Sequence, residues 1–201
     1  MTSKLPKNGY TDKSNNHFLL NAGAVVRNLE WDAENEWTYE EFGASSGGSS
    51  LSLVNTLRHM EIDGVTATPV VGGDVIEATE GTIELNILEF TRGNIQAALM
   101  ASYEASDGLE FPVGYDVIRP NARIEESAYI KNLAYIGTYG KSELPIIVIF
   151  DYAICTSGLE FEPQDNNDNT MTMTFSARTN PEKVGESLLP VRILLPQTNE
   201  I

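Results

Sequence analysis

The stretch from Phe42 to Val65, FGASSGGSSLSLVNTLRHMEIDGV, combines a segment of small residues, an extended segment and a turn signal. Leu51 to Ile62 is predicted to form a β-strand. Asp63-Gly64 favours a type I′ turn, which needs positive φ at both central positions. Gly43 to Ser50 shows no hydrophobic periodicity, and its glycines and serines are typical of a loop. The stretch therefore predicts a strand that enters a tight hairpin and follows a flexible connection.

Other segments also predict β-strands. Thr82 to Ile87 and Thr170 to Arg178 alternate between apolar and polar residues, as half-buried strands do. The continuous apolar run from Pro145 to Cys155 is typical of a central strand. Gly23, inside a β-rich segment, indicates a bulge or a close approach of another backbone. The predicted strands beyond the opening stretch are His17 to Leu29, Val65 to Val71, Asp74 to Ile87, Tyr129 to Thr138, Pro145 to Cys155, Thr170 to Arg178 and Val191 to Leu195.

One helix is predicted from Thr91, whose side chain can cap the first turn, to the Asp107-Gly108 turn. Its interior is rich in alanine, which favours helix. The residues that share one face at helical spacing are Ile95, Ala98, Leu99, Ser102 and Tyr103. Such a face predicts a helix that packs against one side of a sheet.

The predicted fold is a single domain, residues 1 to 201, that is mainly β. We expect an antiparallel β-sandwich or barrel with one flanking α-helix and two long loops. The first is an assembly loop over residues 30 to 50, and the second runs from Leu109 to Glu126. Residues 1 to 16 are polar and predict a flexible N-terminal arm. Loops of this length are uncommon unless they are functional or become ordered on binding, so they indicate interaction surfaces.

Composition narrows the classes of function. The chain has 29 acidic and 13 basic residues and a formal net charge of −16, and such a surface repels nucleic acid. Its single cysteine, Cys155, excludes an intrachain disulfide and a cysteine-rich zinc site. The N-terminal residues lack the apolar core of a secretory signal, and the longest apolar run, Leu144 to Phe150, fits a buried strand. We therefore expect a protein that is made in a cytoplasm and has no membrane partner.

No residue pattern predicts catalysis or a cofactor. His17 and His59 are the only histidines, and no cluster of histidine, cysteine and aspartate at metal-ligand spacing surrounds them. Asp165, Asn167 and Asn169 match the start of an EF-hand calcium loop, but the glycine and the bidentate glutamate that this motif requires are missing. We expect no enzyme activity, no cofactor and no bound metal.

The acidic segment from Glu30 to Glu41, EWDAENEWTYEE, carries six carboxylates and no base. Trp31 and Trp37 within it admit two interpretations. Aromatic side chains are enriched in interface cores, so the tryptophans would anchor this segment on a neighbouring subunit. Alternatively, tryptophans beside carboxylates would form the binding surface of a secreted-type, carbohydrate-binding β-sandwich.

The order of the segments resembles that of the major tail protein, or tail tube protein, of long-tailed phages and prophages of Gram-positive bacteria. The resemblance covers roughly residues 17 to 105. It is carried by LLNAGAVVRNL (Leu19 to Leu29), GASSGG (Gly43 to Gly48), HMEIDGV (His59 to Val65) and VVGGDVIEATEGTIELNILEFT (Val70 to Thr91).

The resemblance implies a structural subunit of the virion tail, assembled in the cytoplasm of a bacterial host. Six subunits would close a ring, and rings would stack around a tape-measure protein between tail completion and tip proteins. The finished tube would conduct DNA during ejection without binding it tightly. A tube protein of a contractile tail or of a secretion system has a similar shape and is an alternative within the same class.

Two sets of residues follow from this hypothesis. The predicted subunit interface in the loop consists of Trp31, Trp37, Phe42, Gly43, Ser46, Gly47 and Gly48. The candidate lumen-facing residues are Glu61, Asp63, Glu77, Glu80, Glu84, Thr172 and Thr174. An acidic lining would repel the phosphate backbone, so that DNA would slide through the tube without adhering to it.

Overall fold

The structure, a computed structural model, describes residues 14–34, 36–61, 63–64, 69–163, 165–166, 168–185 and 190–197 of the 201-residue chain. This described part is mainly β, with one α-helix and a large antiparallel sheet, which confirms the predicted fold class. Parts of five predictions lie outside the described residues: residues 1–13 of the N-terminal arm, residue 35 of the assembly loop, Ile62 of the strand from Leu51, residues 65–68 of the predicted return strand, and Asn167.

Apart from three short 3₁₀ helices, the regular elements of the described residues are strands and one α-helix, which lies between the fourth and fifth strands. In chain order they are β1 (Leu19–Asp32), β2 (Glu36–Glu41), β3 (Ser45–His59), β4 (Asp74–Ile87), α1 (Arg92–Leu99), β5 (Ala101–Ala105), β6 (Asp116–Pro120), β7 (Ile130–Tyr139), β8 (Ile146–Cys155), β9 (Glu160–Phe161), β10 (Met171–Arg178) and β11 (Val191–Leu194).

One antiparallel sheet contains nine of the described strands, in the order β2-β1-β7-β8-β10-β4-β3 along its main path. β11 pairs with β8 and β9 pairs with β10, while β5 and β6 form a separate hairpin. β8 lies in the middle of the order, with β7 on one side and β10 and β11 on the other. This position confirms the central strand that its continuous apolar run predicts.

The main hydrophobic core lies on one face of this sheet, which we call the inner face. Phe150 of β8 and Phe175 of β10 are fully buried there. The predicted alternation is confirmed, because Ile83, Leu85 and Ile87 of β4 are buried on this face. The apolar residues of β10, Met171, Met173 and Phe175, are buried there as well. The opposite, outer face has a smaller core cluster: Val26, Leu29, Ala134, Ile147 and Ile149.

The sheet curls around the inner-face core until β1 approaches β3. Val25 of β1 and Leu51 of β3 both pack against the same core cluster, although these strands are five places apart in the order of the sheet. At the seam between them, the Ser49 hydroxyl donates a hydrogen bond to the Ala22 carbonyl oxygen at 3.4 Å. No ladder joins β1 to β3 in the described sheet, so the curled sheet is not a closed barrel.

Gly23 allows β7 to approach β1 closely, as its position in the sequence predicts. Its φ is +72°, and a Cβ atom there would lie 2.6 Å from the ring of Tyr135. The pairing of β1 with β7 also shifts register between Leu20 and Ala24. A bulge and a close approach therefore occur together at this glycine.

The predicted assembly loop over residues 30 to 50 is wrong, because most of it is β-structure. β1 continues to Asp32, and β2 returns beside it with Trp31 opposite Trp37. β3 then begins at Ser45, so only residues 42–44 connect the strands. The acidic side chains lie on an exposed hairpin. Its strands pair through backbone hydrogen bonds without burying a face, so their sequence shows no hydrophobic periodicity that would predict them.

The second predicted loop, Leu109 to Glu126, is also wrong in part, since it contains β6. The predicted two-residue hairpin at Asp63-Gly64 is wrong too, because the last pair of β3 with β4 joins His59 to Asp74. Asp63-Gly64 does form a turn, with Gly64 at φ +86°, but within a longer connection over residues 60–73. The Met60 N–H closes that connection by donating to the Gly73 carbonyl at 2.8 Å.

The predicted helix exists but is shorter than expected. The Thr91 hydroxyl caps it by accepting a hydrogen bond from the Asn94 N–H, as predicted. The helix ends at Leu99, because Met100 adopts a left-handed conformation with φ +51°. The next residues belong to β5, where the Tyr103 ring lies 4.1 Å from the Arg92 guanidinium. Pairing with β6 and this cation–π contact therefore override the helix propensity of the alanine-rich segment.

The close approach at Gly23 can be tested with a matched pair of glycine substitutions. Gly23→Ala and Gly64→Ala both place a side chain at positive φ, which costs about 1–2 kcal/mol. At Gly23 the added Cβ meets a ring, whereas at Gly64 no atom of the described residues lies within 4 Å. We expect urea denaturation to show an additional loss of about 1–3 kcal/mol for Gly23→Ala. Equal losses would contradict the close approach.

Candidate assembly surfaces

The far parts of β3 and β4 form a two-stranded ribbon that extends beyond the core. We define the ribbon as residues 53–59 and 74–81. Leu57 and Ile76 lie opposite each other on one of its faces and are 60% and 56% exposed. Val54 and Val75 are exposed on the ribbon as well. An exposed apolar ribbon of this kind is typical of a surface that another polypeptide covers.

The edge of β3 is the second unusual feature of the ribbon. β3 is the last strand in the sheet order and is 15 residues long, and beyond its seam with β1 one of its sides pairs with no strand of the described sheet. Long edge strands tend to pair with other chains, and proteins usually protect them with lysine, proline or a covering loop. Between Leu51 and His59 the strand contains neither lysine nor proline, and Arg58 is its one basic residue.

A bulge interrupts the ribbon at Glu77. Thr56 pairs with Ala78, and the next residue, Leu57, pairs with Ile76, which leaves Glu77 as the extra residue of β4. Bulges increase the local twist of a ribbon. Glu77, one of the candidate lumen residues, is therefore exposed at a bend and is not part of a regular strand face.

The outer face of β10, β4 and β3 is polar and brings four candidate lumen residues together. Glu84 lies opposite Thr174, and Glu80 lies four residues before Glu84 on the same face of β4. Thr172 and Asn86 form the next β10–β4 pair on this face, and the Thr172 hydroxyl donates a hydrogen bond to the Asn86 side-chain oxygen at 2.7 Å. This polar surface is continuous across β10, β4 and β3, and we call it the polar face.

Two candidate lumen residues do not belong to the polar face. Glu61 and Asp63 lie in the connection over residues 60–73, past the last β3–β4 pair. They extend the negative charge beyond the end of the ribbon. The structure thus groups Glu80, Glu84, Thr172 and Thr174, and it separates Glu61, Asp63 and Glu77 from them.

The two tryptophans form a pair on the β1–β2 hairpin. Their ring centroids are 5.1 Å apart with an angle of 56° between the ring planes, and Trp31 and Trp37 are 59% and 39% exposed. They border an open groove of about 690 Å³, which we call the tryptophan groove. Its lining residues are Leu29, Glu30, Trp31, Trp37, Asn132, Ile149, Arg192 and Leu194.

Phe42, predicted to lie in the subunit interface, belongs to the core. Its side chain is buried, its ring centroid lies 5.4 Å from that of Phe175, and the Arg27 guanidinium lies 5.2 Å from its ring centroid. Its carbonyl oxygen accepts a hydrogen bond from the buried side chain of Asn94 at 2.7 Å. Phe42 therefore fixes the chain between the first hairpin and β3.

The small residues that follow Phe42 have a structural role that the sequence did not indicate. Gly47 and Gly48 have φ values of +80° and +81°, and the pairing of β3 with β4 shifts register between Ser45 and Ser49. Gly43 has φ +99° and lies against the carboxylate of Glu89. With Ser46, which is exposed, these residues line or adjoin the seam between β3 and β1.

A third apolar surface lies at the tip of the β5–β6 hairpin, within the predicted second loop, Leu109 to Glu126. The sequence indicated an interaction surface in this loop but did not single out its apolar side chains. Leu109 is 90% exposed, and Phe111, Val113 and Tyr115 are exposed beside it. The loop backbone is fixed nonetheless, since the Ser106 N–H donates to the Tyr115 carbonyl at 2.9 Å. The alternating apolar residues Leu109, Phe111 and Val113 are the sequence feature that could have predicted this surface.

The described residues contain no group of three or more metal-binding side chains. The His59 imidazole is paired with Asp74 at 3.1 Å, and the His17 imidazole lies 3.1 Å from the Tyr139 hydroxyl. Burial raises the pKa of the Tyr135 phenol. Within the described residues, no helix has the length and apolar composition needed to cross a membrane.

No protein-family model matches this chain, and a search of curated proteins finds no significant match.

The apolar residues of the ribbon should contribute little to folding. Leu57→Gln and Ile76→Gln change exposed side chains, so we expect the free energy of unfolding to change by no more than about 0.5 kcal/mol. Ile83→Gln, on β4 like Ile76, buries an amide in the core and should lower the free energy of unfolding by about 3 kcal/mol or more. Urea denaturation of the three variants checks this contrast. A large loss for Leu57→Gln would show that the ribbon is part of the folding core.

Proposed function

We propose that the protein is the repeating subunit of a phage-type tail tube, in which copies join into rings and the rings stack. The observation that carries this proposal is the ribbon, which has an exposed, unpaired edge and exposed apolar side chains opposite each other. A monomer gains nothing from such a feature, and it invites aggregation unless another chain covers it.

A ring of identical copies would cover the ribbon in a regular way. Each copy would use the free edge of β3 to contact a different surface of the next copy, which is a head-to-tail contact that closes into a ring. Closure removes sheet edges altogether. Burial of an exposed leucine or isoleucine contributes about 1.5–3 kcal/mol. Because Leu57 and Ile76 are 60% and 56% exposed, a little over half of this remains to be gained, so together they would contribute about 2–3 kcal/mol to each contact.

The polar face would line the tube. It carries Glu80 and Glu84 between threonine and serine side chains, and it contains no lysine or arginine on β10 or β4 except Arg178 at the end of β10. A lining of carboxylates and hydroxyl groups repels phosphate and offers DNA no cationic contacts. DNA would pass through without tight binding, and a tape-measure protein would occupy the tube before that.

The β5–β6 tip would serve contacts between rings or with the tail completion and tip proteins. Its apolar side chains are exposed while its backbone is fixed by hydrogen bonds. A surface held in one conformation loses less entropy on binding than a flexible loop does. The same features suit the tube of a contractile tail or of a secretion system.

Electron microscopy of concentrated protein tests the proposal directly. We expect negative-stain images to show rings or tubes, and light scattering to show a concentration threshold for assembly. A Leu57→Gln/Ile76→Gln double variant should raise that threshold about 10- to 100-fold, because each contact loses buried apolar area.

Val184→Gln is the matched control, since Val184 is an exposed apolar residue outside the ribbon. The control should assemble as the original protein does. A protein that stays monomeric at every concentration and salt condition would refute the proposal, and unchanged assembly of the double variant would refute the role of the ribbon.

The proposal that the polar face lines the tube can be tested separately, on variants that still assemble into tubes. Glu80→Lys/Glu84→Lys places two cations on the polar face, and these tubes should retain a short fluorescent DNA duplex at low salt, about tenfold more than the original tubes do. Co-sedimentation measures the retained DNA. Added salt should release it, because the attraction is electrostatic.

The matched control is Glu143→Lys/Glu182→Lys, which makes the same change of charge at exposed positions away from the polar face. DNA in the lumen should be protected from nuclease, and DNA on an outer surface should be digested. Nuclease-sensitive DNA on the Glu80→Lys/Glu84→Lys tubes would show that the polar face is not the lining.

A further inference from the structure

The tryptophan groove lies on the side of the curled sheet opposite the polar face. Around the curl, β7 is three strands from β4 in both directions, through β8 and β10 on one side and through β1 and β3 across the seam on the other. The groove is bordered by residues of β1, β2, β7, β8 and β11 and thus surrounds β7. If the polar face lines the tube, the groove faces outward.

The groove combines aromatic and apolar walls with polar groups that are already fixed. The Arg192 guanidinium donates to the Asp151 carboxylate at 2.7 Å and to the Asn132 side-chain oxygen at 3.0 Å. The Asn132 side-chain oxygen is engaged in this way, so its amide nitrogen remains as a donor. Leu29, which is buried, and Ile149 form the apolar base. A few placed polar groups on an aromatic and apolar surface are typical of a small-molecule site.

The ring geometry limits what this site can bind. The tryptophan ring centroids are 5.1 Å apart, so neither a cation nor a sugar fits between the two rings. A ligand has to lie on an exposed ring face, and Trp31 is the more exposed of the two. The face of an indole ring carries negative charge density and attracts the C–H groups of a pyranose. Glu30 is ion-paired with Lys131 at 3.3 Å, and the other acidic residues of the β1–β2 hairpin, Asp32 and Glu36 among them, disfavour anionic ligands.

We propose that the tryptophan groove is a saccharide-binding site on the outer surface of the assembled tube. A neutral pyranose stacks on Trp31 and receives hydrogen bonds from the Asn132 amide and from the Arg192 guanidinium. Its outward orientation rests on the proposed tube function, whereas saccharide binding by the free subunit does not.

Intrinsic fluorescence offers a direct test, because Trp31 and Trp37 are the only tryptophans in the chain. The free protein is titrated with chitohexaose, cellohexaose, maltohexaose and mannohexaose. We expect at least one of them to change the emission, with a Kd of about 0.1–1 mM. Trp31→Ala keeps Trp37 as the reporter and should weaken binding about tenfold or more.

Two controls separate the site from general effects. Tyr115→Ala removes an exposed aromatic side chain on the β5–β6 tip and should leave the Kd unchanged. Asn132→Ala and Arg192→Ala should each weaken binding by about 3- to 10-fold. Calorimetry with the same oligosaccharide confirms the affinity without relying on the tryptophans.

The outcomes distinguish this inference from the tube proposal. If none of the four oligosaccharides binds the free subunit at concentrations of about 10 mM, or Trp31→Ala binds as before, the saccharide site is refuted whether or not tubes form. If the free subunit binds and assembled tubes do not, the outward orientation is refuted. Binding by both, lost in Trp31→Ala, supports the proposal.

Discussion

The packing of the inner sheet face around Phe150 and Phe175 is the constraint on which the rest of the structure depends. It sets how far the sheet curls, and it also sets where the core ends. Gly81 marks that end: a Cβ atom there would lie 3.1–3.3 Å from Leu53, Phe150 and Ala177. β3 and β4 continue well beyond this position, where the core no longer offers a surface to cover them. The ribbon is exposed because two strands are longer than the core that they help to form.

The curl of the sheet also separates the surfaces of the molecule by chemistry. The outer face near β4 is polar and acidic, while the outer face around β7 has a small apolar cluster bordered by two tryptophans. A flat sheet would place these surfaces on the same side. In a curled sheet they point in opposite directions, so one chain presents a polar, acidic surface on one side and an apolar, aromatic surface on the other. This separation gives the polar face and the tryptophan groove different roles in the proposed tube.

Sequence patterns predicted the elements that are buried on one or both faces. The alternation in β4 and β10 and the apolar run of β8 follow directly from burial, so hydrophobic periodicity identified them. The elements that the patterns missed, β2, β5, β6 and β9, are largely exposed. Exposed strands keep their backbone pairing but lose the hydrophobic pattern, because no face has to be apolar. The same reason made residues 30 to 50 resemble a loop.

The candidate surfaces were predicted less well than the fold, since a surface depends on how strands pair. Thr172, Thr174 and Glu84 share a face only because β10 lies beside β4, a pairing between segments about 90 residues apart that no local pattern specifies. Trp31 and Trp37 meet for the same reason, through the register of the first hairpin.

The formal charge of −16 acts together with the free edge. An exposed edge with apolar side chains favours uncontrolled pairing, whereas like charge opposes every encounter between copies at distances up to the Debye length, about 10 Å at 0.1 M salt. In the proposed ring, a contact has to bury enough apolar area to outweigh this repulsion. The repulsion therefore selects for a specific and extensive contact, which is the condition for ordered rings instead of aggregates.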